Sequence, residues 1–332
     1  MSQPTVTPPR RIAVLTSGGD SPGMNACVRA IGRVAETAGA ELLAVMDGYA
    51  GLLDNRISPL ERADLDARAS HGGTRLGTAR CAAFMQPEGR ARAAEHLRAA
   101  GADALVVIGG DGSMRGALAL MNEQGIAVGG VPGTIDCDVL GTDETIGFDT
   151  AVGRGVEAID RLRDTAESHH RVFLVEVMGR HSGAIAMAVG VAGGAEAIVT
   201  PEWPTDVPVL AAHLIAEWAK RNSSVVVVAE GDDQGGAAAL AAALLPLMPG
   251  ADMRVTVLGH VQRGGAPSPR DRILAARLGA DVASGLLAGE RGFMSGMWHG
   301  DVRRVPIAEV ACGNQEPATR LADLARALSL LS

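Results

Sequence analysis

The sequence predicts an α/β fold of the doubly wound kind, and three observations predict it. Apolar runs of strand length recur at 11–16, 42–46, 104–108, 126–131, 171–177 and 224–229, several with no polar face, as in strands buried on both sides of a parallel sheet. Helix-length segments alternate with them. Most of the runs end in a short loop rich in glycine and polar residues, and open α/β sheets place their ligands at that end of their strands.

In order, residues 1–10 read as a loose polar tail. The 11–16 strand runs into Ser17-Gly18-Gly19-Asp20-Ser21-Pro22-Gly23 and a helix from about 26 to 38. A Gly-rich turn opening a helix offers free N–H groups to an anion, although it is not the GxGxxG dinucleotide fingerprint and a tight strand–helix turn accounts for some of the glycines. The 42–46 strand leads to Asp47-Gly48-Tyr49-Ala50-Gly51-Leu52, read as a loop, and then a polar stretch. Arg75 and Arg80 follow in the Gly/Thr-rich loop 71–80, where guanidinium forks suit phosphate oxygens. A helix from 89 to 100 precedes the 104–108 strand, which ends in Gly109-Gly110-Asp111-Gly112-Ser113. Asp111 there suits either Mg²⁺ beside a nucleotide phosphate or a helix cap. A helix at 114–124 and the 126–131 strand then open into Pro132-Gly133-Thr134-Ile135-Asp136-Cys137-Asp138. On extended backbone Asp136 and Asp138 face one side, as a metal ligand or a proton acceptor requires; a solvated turn uses the same residue types.

A long helix, 149–168, begins a second series: strand 171–177 ending in Met178-Gly179-Arg180-His181-Ser182-Gly183, a strand near 197–200, a helix at 207–221, strand 224–229 with Glu230 at its end, and strand 254–258 ending in Gly259-His260-Val261-Gln262-Arg263. His260 is either a core histidine or a ligand. A helix at 269–288 and three apolar tail segments complete the chain.

Composition narrows the function. The 332 residues suffice for two domains, and 47% apolar with 2% aromatic content implies an aliphatic core. A net charge of −8 argues against nucleic-acid partners. No apolar run is long enough to span a membrane, and residues 1–11 lack a signal-peptide core. Four scattered cysteines without CxxC fit a reducing cytoplasm better than a zinc site or disulfides. Lys220 is the only lysine among 30 basic residues, and it lies outside any Gly-rich turn, which excludes a P-loop. Phosphate chemistry in this chain must rely on arginines, backbone N–H groups and a metal.

Six segments taken together, 15–20, 108–113, 132–136, 159–165, 175–180 and 258–265, resemble the bacterial ATP-dependent 6-phosphofructokinases. The likeness runs from Ile12 to about Gly289. It implies two doubly wound domains with the active site in the cleft between them: residues 1–145 plus about 265–309 for ATP and Mg²⁺, and about 146–264 plus 310–332 for fructose 6-phosphate. By resemblance, Asp136 is the base for the sugar 1-hydroxyl, with Thr134 and Arg180 beside it. Gly19, Arg80, Cys81, Gly110, Asp111, Gly112 and Ser113 line the ATP site, and Asp111 and Asp138 hold Mg²⁺. Arg171 and Arg254 reach the sugar phosphate from a neighbouring subunit, His260 and Arg263 reach it from the same one, and Met178, Gly179, Arg180 and Glu230 hold the sugar. Shared sites imply a homotetramer.

The family's pyrophosphate-using relatives carry an acidic residue where this chain has Gly112 and a lysine where it has Gly133, so ATP is the expected donor and pyrophosphate the alternative. Arg29, Arg33, Arg163 and Glu196 match an effector site between subunits, but Arg221-Asn222-Ser223 stands in place of a basic run, which weakens the expectation of effector control. The family usually has Asn where this chain has Cys137, a weaker hydrogen-bonding group, so a reduced rate or altered affinity, not loss of function, is expected. A non-catalytic sugar-phosphate sensor is the alternative of another class. A NAD or lipid kinase shares GGDG but leaves 178–183 and 258–265 unexplained, and a dehydrogenase lacks its fingerprint.

Overall fold

A computed structural model describes residues 10–313 and 319–331; nearly all of the expected N-terminal tail lies outside the described residues. The chain divides into two compact units, Met1–Thr134 with Asp138–Gly147 and Arg263–Gln315, and Ile135–Cys137 with Phe148–Gln262 and Glu316–Ser332.

The first unit contains β1 (Arg11–Ser17), α1 (Met24–Thr37), β2 (Glu41–Val45), α2 (Gly48–Leu53), β3 (Ile57–Pro59), α3 (Arg62–Arg68), α4 (Pro87–Ala99), β4 (Ala104–Gly109), α5 (Asp111–Gln124) and β5 (Ala127–Pro132). The second runs through α6 (Phe148–His169), β6 (Arg171–Val177), α7 (Ala184–Ala192), β7 (Ala197–Val199), α8 (Val207–Arg221), β8 (Ser224–Ala229), α9 (Ala237–Leu244) and β9 (Asp252–Val257). The chain returns to the first unit with α10 (Pro269–Leu287), β10 (Phe293–Trp298), β11 (Asp301–Pro306) and α11 (Ile307–Cys312), and α12 (Thr319–Ala327) belongs to the second.

Among the described residues the strands form a seven-stranded sheet in the order β11-β10-β5-β4-β1-β2-β3 and a four-stranded sheet in the order β7-β8-β6-β9. Alternation along β1 and β4 sends Ile12, Val14, Val106 and Ile108 into a core with α1 and α10, and Ala13, Leu15, Leu105 and Val107 into a second core with α4 and α5. In the smaller sheet Phe173, Val175 and Val177 face α6, α7 and α12, while Val172 and Leu174 face α8 and α9.

Several elements depart from the sequence expectations. The segment after Asp47 is the helix α2, entered through left-handed φ at Asp47 and Gly48. The polar stretch after it contains β3 and α3. α5 begins at Asp111, so Asp111, Gly112 and Ser113 form its first turn. α9 lies in an alanine-rich run with no polar face to mark it. The tail segments include an antiparallel hairpin in which β10 and β11 turn through His299 and Gly300, both at positive φ, as a two-residue turn between twisted strands requires. β3 pairs antiparallel at the other edge of that sheet. No helix among the described residues is long and apolar enough to cross a membrane.

Leu105 is fully buried in β4 between two parallel neighbours. Leu105→Ala is expected to cost about 2–5 kcal/mol through lost burial and the cavity left behind, read as a lower urea midpoint.

Candidate active site

The loops at the carboxyl ends of β1, β4, β5 and β6 carry most of the singled-out residues. After β1, Gly18 and Gly23 take positive φ and the chain turns into α1 without a side-chain cap. Arg263, almost buried, donates from Nη1 to the Asp20 carbonyl at 2.9 Å, and its guanidinium lies so close to Gly19 that a Cβ there would sit 2.7 Å from Nη1. The 71–80 loop is fastened to this region: Asn25 donates to the carbonyls of His71 and Gly73 and accepts from the Arg75 N–H, Thr16 donates to Gly77, and Thr78 donates to Gly18. The two arginines of that loop part company. Arg75 pairs with Asp64 at 2.5 Å, whereas Arg80 is exposed with no ion-pair partner among the described residues. Cys81 caps a 3-10 turn at Ala82–Met85 and packs against the second core of the larger sheet.

After β4, Gly110 is extended and Asp111 opens α5. The Asp111 carboxylate accepts from the Gly112 N–H at 2.6 Å and pairs with Arg115 at 2.8 Å. Ser113 is buried, and its carbonyl accepts the hydroxyl of the only tyrosine, Tyr49.

After β5, Thr134 is buried, Asp136 is 2% exposed and Asp138 is half-buried. Cys137 takes a left-handed φ of 53°. The extended backbone that would point Asp136 and Asp138 to one side is therefore interrupted between them, and the same-side argument from their spacing fails. Left-handed backbone is costly for a residue with a Cβ and is tolerated best by Gly and Asn. The thiol at 137 thus carries a backbone cost as well as a weaker hydrogen-bonding group.

Across from Asp136, within the second unit, stands the loop after β6. Arg180 Nε lies 3.6 Å from Asp136 Oδ2, with the arginine side chain 51% exposed. Arg180 also has a left-handed φ, 54°. Glu230 Oε1 holds the bend by accepting from the N–H groups of Gly179 at 3.3 Å and Arg180 at 2.8 Å. Met178 is buried just before the bend.

The two arginines expected at the sugar phosphate come together on one carboxylate. β6 and β9 pair in parallel with Arg171 opposite Asp252 and Phe173 opposite Arg254. Asp252 accepts Arg171 Nε at 2.7 Å and pairs with Arg254 Nη1 at 2.7 Å. The Arg171 hydrogen bond, with Arg254 behind it, lowers the Asp252 carboxyl below its ordinary value. His260 is exposed on a 3-10 turn at Gly259–Arg263, so it is not a core histidine.

The four effector candidates fall into two pairs. Arg29 and Arg33 bind Asp66 at 2.7 and 3.1 Å in the first unit, and Arg29 above all lowers that carboxyl. In the second, Arg163 pairs with the buried Glu196 at 3.1 Å, and Arg221 reaches the same oxygen at 3.4 Å.

Residues 11–286 match the family model described as phosphofructokinase. The chain belongs to the phosphofructokinase family. It is 52% identical over 97% of its length, and 98% of the relative's, to ATP-dependent 6-phosphofructokinase 1 of Thermus thermophilus. It is 45% identical to the ATP-dependent 6-phosphofructokinase of Macrococcus caseolyticus, over 97% of this chain and all of that one. Among solved structures, phosphofructokinase from Saccharomyces cerevisiae superposes with a TM-score of 0.84 at 38% identity over 96% of this chain, which spans 47% of that longer chain. A pyrophosphate-dependent phosphofructokinase from Marinobacter aquaeolei has a TM-score of 0.85 at 23% identity, covering 94% of this chain and 86% of that one, a likeness of fold alone.

The phosphofructokinase fold brings in residues that the sequence did not single out. Asp252 on β9 holds Arg171 of the adjacent strand β6 and Arg254 of its own strand. Gly231 follows Glu230, and a Cβ there would collide with the Arg180 carbonyl oxygen, so only glycine lets the two backbones pack. The doublet Glu230-Gly231 at a strand end was the available signal.

Two outcomes follow from this geometry. Cys137→Asn is expected to stabilise the loop by about 1 kcal/mol by relieving the left-handed cost, seen as a higher melting midpoint. Asp252→Ala is expected to raise the KM for a phosphorylated sugar by about tenfold, because Arg171 loses the partner that aims its fork, with kcat changing far less; steady-state kinetics at fixed nucleotide checks it.

Proposed function

We propose that the chain transfers the γ-phosphoryl group of ATP to the 1-hydroxyl of D-fructose 6-phosphate, giving fructose 1,6-bisphosphate and ADP. The observation that carries this reading is the buried Asp136 carboxylate beside Arg180 on a loop held by Glu230, in a chain about half identical to ATP-dependent 6-phosphofructokinases. Asp136 accepts the 1-hydroxyl proton as the C1 oxygen forms its bond to the γ-phosphorus and the bond from that phosphorus to the β,γ-bridging oxygen breaks. Such transfers pass through a loose transition state, so the protein acts by alignment and by neutralising charge. Because the proton leaves late, a carboxylate suffices as the base. Arg180 balances the Asp136 charge and is assigned to meet the transferred group.

The first unit is assigned to ATP, through Gly19, Arg80, Cys81 and Gly110 to Ser113. The sugar is assigned to Met178, Gly179, Arg180 and Glu230, with Arg171, Arg254, His260 and Arg263 for its phosphate and Thr134 beside the base. Mg²⁺ would be held by Asp111 and Asp138, both in the first unit. No group of three or more metal-binding side chains occurs among the described residues. A sparse carboxylate set fits an ion that keeps its waters and takes its remaining ligands from phosphate oxygens. When bound, it would neutralise the β- and γ-phosphate charge.

Two glycines support ATP as donor. Gly133 is closed in by Ile108 and Met24, where a Cβ would lie 2.8 and 3.1 Å from their side chains, so a lysine cannot be housed there. Gly112 has open space, its Cβ position meeting only Arg115 at 3.7 Å, so the room a nucleotide would use is not taken by the protein. A homotetramer with shared sites is supported by β9, an edge strand that exposes Val255 and Val257 beside Arg254. A cytoplasmic location is supported by the four free cysteines.

A coupled assay with fructose 6-phosphate and Mg²⁺, run in parallel with ATP and with pyrophosphate, tests the reading. Turnover with ATP and none with pyrophosphate is expected; the reverse would overturn the donor assignment. Asp136→Ala is expected to lower kcat by at least about a hundredfold while fructose 6-phosphate still binds in a titration.

A further inference from the structure

The loop that carries Arg180 is fastened by more than Glu230. Its N–H groups find acceptors one after another: Met178 on Gln262, Gly179 and Arg180 on Glu230, Ser182 on the Gly179 carbonyl, and Gly183 on Glu202. The first of these fixes where the loop leaves the sheet. Gln262 is 0% exposed. Its Oε1 accepts the Met178 N–H at 2.8 Å, and its Nε2 donates to the Ala151 carbonyl of α6 at 3.3 Å. An N–H can only donate and a C=O can only accept, so the orientation of the amide is determined. One side chain thus ties three segments together: α6, the loop after β6, and the 3-10 turn that presents His260 and Arg263.

We infer that Gln262 is a positioning residue for the sugar site, setting the start of the 178–183 loop so that Arg180 meets Asp136. The inference rests on the assignment of that loop to the sugar, made above. A glutamine is required because the site needs an acceptor and a donor on one planar group. Glutamate in its ionised form keeps the acceptor for Met178 and loses the donor for Ala151, and leucine loses both.

The two variants therefore separate positioning from packing. Gln262→Leu is expected to raise the KM for fructose 6-phosphate by about tenfold or more and to lower kcat, because the loop shifts against Asp136. The KM for ATP should rise far less than the KM for the sugar, since neither hydrogen bond of the amide, to Met178 and to Ala151, reaches a residue assigned to ATP. Gln262→Glu should raise the sugar KM less than Gln262→Leu does, since the Met178 bond survives, while losing thermal stability because a carboxylate is buried against the Ala151 carbonyl. If the leucine variant does not accumulate folded, Gln262→Asn, too short to bridge both groups, carries the same expectation. An unchanged sugar KM in the leucine or asparagine variant, with only the melting midpoint lowered, would make Gln262 a packing residue and overturn the inference. So would equal KM increases in the leucine and glutamate variants. Arg180→Ala is measured alongside. If it leaves the sugar KM unchanged, the loop assignment fails and the inference with it; if it raises that KM while Gln262→Leu does not, the inference alone fails.

Discussion

Burying the Asp136 carboxylate is the constraint on which the second unit depends. An ionised group removed from water is costly unless a counter-charge stands beside it, and Arg180 is the cation in place. Arg180 reaches it from a bend that an unaided chain disfavours, with left-handed backbone at a residue that has a side chain. Glu230 offsets that cost by accepting two consecutive N–H groups, and Gly231 allows the backbones to approach. Stability and reactivity are joined in this arrangement, because the contacts that keep the bend are the contacts that aim the guanidinium.

Much of the architecture is legible in the sequence because parallel strands buried on both faces leave an unmistakable pattern. β1, β4, β5, β6 and β8 are mostly apolar, and the loops after them carry polar residues among glycines, so 109–113, 131–138 and 178–183 stand out. What escapes is what depends on register or on backbone. Arg171 and Arg254 meet on Asp252 only because β6 and β9 pair with that alignment, across a separation that no local pattern records. Cysteine has no marked preference for left-handed backbone, so the turn at Cys137 has no signature. Arg75 and Arg80 read alike in a Gly/Thr loop, and only the placement of α3 gives Asp64 to one of them. The alanine run of α9 has neither caps nor periodicity to announce it.

The same comparison explains why the two donor-related glycines carry different weight. Gly133 is closed in by Ile108 and Met24, so the packing of this chain already gives a local reason for glycine there. Gly112 is demanded by nothing in the protein, even though glycine weakens a helix. A position that accepts a local cost without a local reason is one where the reason lies outside the chain.

The arginine pairs described above share a motif with a consequence for the surface as a whole. Asp252 and Glu196 each hold two arginines on one carboxylate, and Asp66 gathers three, Arg29, Arg33 and Arg62. Each cluster is left with an excess of positive charge on a protein whose net charge is −8. The molecule is therefore an anionic body bearing small cationic islands. Such islands repel no approaching phosphate, yet their attraction is screened beyond about 8 Å at physiological ionic strength. Selection among anions is consequently left to contact geometry at each island, because the long-range field of the protein favours none of them.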